Sequence, residues 1–90
     1  MVVVVKYGAR WCAPCKALAP AFEAVAGLFP SMRFESIDIE NPESQYAPAL
    51  EQVRAVNTLP TIMVFKNGVK AGVKQGAIGR RQLQDWLSNF

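Results

Sequence analysis

The chain has 90 residues, 51% hydrophobic and 19% charged, which is enough apolar material for one packed core and too little length for two. Residues 1–90 are therefore expected to form a single domain. Two cysteines and no histidine exclude a disulfide scaffold, Ser/His or Cys/His catalysis and a histidine-ligated metal.

The net charge is +3, but it is unevenly placed. Between Glu51 and Asp85 there is no acidic residue, whereas Arg54, Lys66, Lys70, Lys74, Arg80 and Arg81 all fall there. Such a positive face either guards an exposed strand edge with lysines or steers acidic partners. No aromatic residues interleave with these basic ones in a nucleic-acid-binding pattern, so no nucleic-acid partner is expected.

The elements follow in short succession. Val2 to Tyr7 is a β-branched run bounded by Gly8, read as a buried strand. Its apolar run is cut by Lys6, far short of the ~7–15 residues of a signal-peptide core or the ~20 of a membrane span. A cytoplasmic location without membrane association is expected. From Pro14 to about Phe29, Leu18, Phe22, Val25 and Phe29 recur at helical spacing, with Pro20 inside the pattern as a kink. Arg33 to Ile39 reads as a second strand.

Asn41-Pro42-Glu43 predicts a helix start, with a side-chain cap and a proline in the first turn, for a helix running to about Ala55 that Pro48 interrupts. Thr61 to Phe65 is a strand, Asn67-Gly68 a hairpin turn, and Val69 to Gln75 the returning strand. A last helix follows Gly79, with Leu83, Trp86, Leu87 and Phe90 on one face. The order β-α-β-α-β-β-α predicts an α/β fold: a four-stranded mixed sheet, with helices on both faces and an antiparallel final hairpin.

Trp11-Cys12-Ala13-Pro14-Cys15-Lys16 lies where the first strand gives way to the first helix. At a helix N-terminus, unpaired N–H groups and the helix dipole favour a thiolate. A second sulfur three residues on is close enough to form a reversible disulfide with little backbone movement. Cys12 is read as the exposed nucleophile and Cys15 as the buried resolving thiol. Zinc needs four ligands, and two thiolates without imidazole do not supply them, so no metal is expected.

These residues resemble the thioredoxin family, and the resemblance covers nearly the whole chain. Trp-Cys-Ala-Pro-Cys-Lys is similar to the family's Trp-Cys-Gly-Pro-Cys-Lys, and Pro20 to the proline that bends its active-site helix. Leu59-Pro60-Thr61 resembles its cis-proline turn, Phe65-Lys66-Asn67-Gly68 its hairpin, and Gly76-Ala77 its turn before the last helix. The resemblance implies a thioredoxin fold and thiol-disulfide exchange without a cofactor, on protein disulfide substrates, with a thioredoxin reductase or other dithiol donor restoring the pair. It also implies a docking groove formed by Trp11, Ala13, Pro14, Leu59, Pro60, Gly76 and Ala77. A monomer is expected.

A glutaredoxin-like enzyme reduced by glutathione is an alternative, favoured by the short length and basic surface and disfavoured by Trp11 and by Ala13-Pro14. A non-catalytic protein-binding subunit is another.

The chain departs from the family in two ways. It starts without the strand and helix that usually come first, so it resembles shortened members, and one sheet edge is expected to be less covered. In addition, Lys6 stands where the family carries a buried aspartate that assists proton transfer at the resolving cysteine. Lys6 shares a strand face with Val2 and Val4, and Asp38 or Glu35 on the next strand are its expected partners. A charged Lys6 would favour the thiolates and a more oxidising pair, a neutral one would act as the missing base, and one reaching solvent would do neither. Arg10 and Lys16 flank the pair, either as ordinary surface charge or as potential for an acidic partner.

Overall fold

The computed structural model describes residues 1–90. Its strands are β1 (Val2–Gly8), β2 (Arg33–Asp38), β3 (Thr61–Lys66) and β4 (Val69–Gln75), and its helices are α1 (Ala13–Ala26), α2 (Ala47–Glu51) and α3 (Arg80–Leu87). The sheet order is β2-β1-β3-β4. β1 pairs with β2 in parallel, as a helical crossover requires, and with β3 antiparallel. The β3–β4 hairpin closes at Asn67 and Gly68, both with positive φ (53° and 85°), the backbone that a two-residue Asn-Gly turn supplies.

Alternation along β1 divides the core in two. Val4 joins Ile62 and Val64 beneath Leu18, Phe22 and Val25 of α1 and Leu83 and Leu87 of α3. On the opposite face Val3, Val5 and Tyr7 join Ile37, Met63 and Phe65 against Ala49 of α2. Each aliphatic side chain fully buried in these layers contributes about 1.5–3 kcal/mol relative to exposure. The buried Tyr7 hydroxyl is satisfied: it donates to the Ala49 carbonyl at 2.7 Å, tying the central strand to α2.

Most predicted elements stand, with three differences. α1 contains Pro20 but ends at Ala26, with Gly27 as its C-cap, so Phe29 lies beyond the helix while still packing on the α1 side of the core. Ile39 lies just past β2. The predicted helix from Asn41 to Ala55 is corrected to a five-residue α2 followed by a 3₁₀ turn at Val53–Ala55. Pro48 decides the matter. A helix beginning at Pro42 would hold it in the interior, where its missing N–H breaks the ladder, whereas a helix beginning at Ala47 puts it in the first turn. The residues before it are fastened differently: Ser44 donates to Glu35 Oε1 and accepts from the Tyr46 N–H at 2.9 Å.

Candidate active site

β1 delivers the chain to Gly8, and residues 9–12 turn it into α1. The Cys12 N–H donates to the Ala9 carbonyl at 3.1 Å. Cys12 is the N-cap of α1, in an extended conformation, and its Sγ accepts the Cys15 N–H at 3.2 Å. A sulfur in this position takes the place of the capping oxygen and sits in the positive field of the helix terminus, the environment that stabilises a thiolate. Pro14, in the first turn, gives up no hydrogen bond that the helix needs. Cys12 and Cys15 are joined as a disulfide, with Cα atoms 5.3 Å apart.

The sequence made Cys12 the exposed sulfur and Cys15 the buried one. In the disulfide form both are buried alike, with 5% and 6% of each residue exposed. What distinguishes them is the cavity each one lines. Cys12 opens on an apolar cavity of about 540 Å³, where it meets Trp11, Ala13, Pro14 and Leu59 of the predicted groove. Trp11 forms an open wall, 67% exposed.

Ile39, Val56 and Asn57 complete this cavity. They went unnoticed in the sequence because they lie outside regular elements, where no periodicity marks them; the only signal was an apolar residue continuing the β2 pattern at Ile39. The Leu59-Pro60 bond is cis, as the resemblance implied. Pro60 itself is buried and does not line the cavity, but its carbonyl accepts the Gly76 N–H at 2.7 Å. Gly76 has φ +84°, a conformation that glycine adopts at no steric cost. Ala77 lies apart from Cys12, sharing a smaller depression with Pro14 and Ile78.

Cys15 opens on a second cavity, of about 340 Å³, with a different lining: Lys6, Arg10, Lys16, Ser36 and Asp38, together with Gly8 and Ala9. Gly8 touches the resolving cysteine closely, since a Cβ there would lie 3.3 Å from both Cys15 Cβ and Sγ.

The predicted partners of Lys6 are corrected. In the parallel register Lys6 faces Ser36 and Val5 faces Glu35, so Glu35 projects from the opposite side of the sheet. There it accepts from Ser44 and lies 3.4 Å from Arg33 Nη2. Asp38 shares the cavity of Lys6 but forms no ion pair with it; its Oδ1 accepts the Glu40 N–H at 2.9 Å. Lys6 Nζ lies instead over the Phe22 ring, 5.3 Å from its centroid, a cation–π contact. Burial lowers the Lys6 pKa below the ordinary 10.5, with Glu23 opposing that shift.

A helix-capping Cys-x-x-Cys disulfide beside a cis-proline, on a four-stranded mixed sheet covered on both faces, defines a class of proteins built for dithiol–disulfide exchange. The thioredoxin family model matches residues 1–89. The thioredoxin of Rhodospirillum rubrum is 38% identical over 85 residues, covering 92% of this chain and 76% of the relative. Thioredoxin-3 of Dictyostelium discoideum is 35% identical over 75 residues, covering 83% and 67%. Among solved structures, Plasmodium falciparum thioredoxin superposes with a TM-score of 0.82 at 27% identity, covering 99% of this chain and 81% of that one. The chain belongs to the thioredoxin family, and its Cys12–Cys15 pair makes it a thiol-disulfide oxidoreductase.

Proposed function

We propose that the protein reduces disulfides of protein substrates, with Cys12 as the attacking thiolate and Cys15 as the resolving thiol. The observation that carries this assignment is the N-cap position of Cys12, whose sulfur accepts the Cys15 N–H and borders the apolar cavity. Thiolate Cys12 attacks one sulfur of the substrate disulfide. A Cys12–substrate disulfide forms, and the other substrate sulfur leaves as a thiolate that takes a proton. Cys15 then loses its proton and attacks Cys12 Sγ, forming the Cys12–Cys15 disulfide and expelling the second substrate sulfur. Two electrons pass to the substrate, and an external dithiol donor or reductase restores the pair.

The groove is formed by Trp11, Ala13, Pro14 and Leu59, extended by Ile39 and Val56, while Pro60 supports Leu59 from behind through its cis bond and its hydrogen bond from the Gly76 N–H, and Ala77 flanks the groove beyond Pro14. The groove takes an extended segment with an apolar side chain beside its disulfide, a reading supported by the lining of the cavity at Cys12. Lys6 acts as a positioning residue: its cation, across the cavity that Cys15 lines, favours the Cys15 thiolate during resolution. The protein works as a cytoplasmic monomer, on neither nucleic acid nor membrane; no helix is long and apolar enough to cross a membrane.

The test is trapping. Reduced Cys15→Ser protein is expected to accumulate a covalent adduct with a disulfide-containing substrate through Cys12, while Cys12→Ser accumulates none and loses turnover by at least about a thousandfold. Adducts forming equally at Cys15 in the Cys12→Ser variant would overturn the assignment.

A further inference from the structure

The exchange reaction gives Lys6 a part beside Cys15, but it does not account for Arg10 and Lys16, two further cationic side chains that line the same concavity behind that sulfur. Lys6, Arg10 and Lys16 line the cavity of about 340 Å³, together with the Ser36 hydroxyl. None of the three cations forms an ion pair or a side-chain hydrogen bond; the two ion pairs of the protein lie elsewhere, at Arg33–Glu35 and Arg81–Asp85. The one carboxylate in the lining, Asp38, has an oxygen engaged by the Glu40 N–H. Glu23 approaches Lys6 from α1 without pairing with it.

The β3–β4 hairpin offers a contrast. Lys66 at the end of β3 and Lys70 on β4 stand on an exposed surface, and Lys70 is bonded to Gln52 Oε1 at 2.9 Å. A flat basic face suits a large acidic partner. A concavity of a few hundred Å³ lined by half-buried Lys6 and by exposed Arg10 and Lys16 suits a small ligand, because only a small ligand fits among all three.

We propose that this cavity binds a compact oxyanion, such as a phosphate or the carboxylate of a small molecule, held by Lys6, Arg10, Lys16 and the Ser36 hydroxyl. The site is coupled to the redox state of its own wall. In the disulfide form Cys15 carries no charge. In the reduced form thiolate character on the pair repels an anion in the same concavity. The anion therefore binds the oxidised protein more tightly, and by linkage it holds the pair oxidised by the same factor. The anion is not consumed, and no atom passes between it and the sulfurs. The coupling rests on the exchange reading above; the binding does not.

The experiment uses inorganic phosphate as the probe, added to the oxidised protein in place of chloride at fixed ionic strength, with backbone amide shifts as the readout. Saturable shifts centred on Lys6, Arg10, Lys16 and Ser36 are expected. The Arg10→Gln/Lys16→Gln variant should bind about tenfold more weakly, as expected for the loss of two exposed charge contacts, while Lys66→Gln/Lys70→Gln should bind as the parent does. Shifts that do not saturate, that spread equally over β4, or that appear only with an acidic peptide would overturn the site. Saturable binding of equal strength to the oxidised and reduced protein would overturn the coupling while leaving the exchange reading intact. Failure of that reading would show in the trapping experiment alone.

Discussion

Cys12 and Cys15 sit three residues apart, yet they open on unlike surroundings. Cys12 faces about 540 Å³ walled largely by Trp11, Pro14, Ile39, Val56 and Leu59; Cys15 faces about 340 Å³ lined by Lys6, Arg10, Lys16, Ser36 and Asp38. Their exposures are nearly equal, so accessibility does not assign their roles. The difference comes from the strand-to-helix turn. Cys12 caps α1 on the side of the cis-proline, whereas Cys15, nearly one turn on, points back toward Gly8 and the end of β1. One wall suits an apolar segment of a docked substrate, and the other sets the electrostatics of the sulfur that completes the reaction.

The comparison can be broken most forcefully at Gly8. Gly8→Ala places a methyl 3.3 Å from the Cys15 side chain, narrowing the cationic cavity and overpacking its wall. A loss of about 1–3 kcal/mol in unfolding free energy is expected, measured by denaturant titration of the oxidised protein. On the other side, Val56→Ser makes the apolar cavity polar. The KM for a protein disulfide should rise about three- to tenfold with both thiol pKa values unchanged. A shift in either thiol pKa would mean that the two cavities are not independent.

Lys6→Met removes the cation from the Cys15 side without removing bulk. The Cys15 thiol pKa should rise by about 0.5–1 unit, and Lys6→Arg should keep it near the parent value, as followed by NMR of the reduced protein. A smaller effect comes from Lys6 itself. Because its folded pKa is depressed, the unfolded chain binds the proton more tightly between that value and 10.5, so stability rises with pH through this window. Tyr7 acts in the opposite sense above pH 10.0. Burial raises its pKa, so there the unfolded chain ionises while the native one does not, and stability falls. The difference between parent and Lys6→Met stability curves isolates the Lys6 slope, and a flat difference would contradict its burial.

Much of this was legible in the sequence, for reasons that differ by element. The spacing of Leu18, Phe22 and Val25 marked the face that α1 buries against Val4 of β1, and Asn67-Gly68 fixed the hairpin because few other residues tolerate two positive φ angles. The start of α2 is misplaced from sequence because Pro42 also satisfies the rule for a helix's first turn; a start there would leave Pro48 in the helix interior, and the helix that begins at Ala47 instead packs Ala49 under Tyr7. The Lys6 partner was misread for a related reason: alternation tells which face a residue takes within its own strand, but Glu35 could be assigned a face only from the β1–β2 register. Val56 had no local signature, and Ile39 only its place at the end of the β2 pattern, since the two meet at Cys12 only after the segment between β2 and β3 has folded back.

The asymmetry of the two sulfurs is tested most directly by alkylating the reduced protein with neutral iodoacetamide and with anionic iodoacetate, and mapping each cysteine by mass spectrometry. Cys12 should react first with the neutral reagent. The iodoacetate-to-iodoacetamide rate ratio should be higher at Cys15 than at Cys12, and should fall at Cys15 in Lys6→Met while staying constant at Cys12. Equal ratios at the two cysteines, or a Lys6→Met effect of the same size at both, would contradict the account.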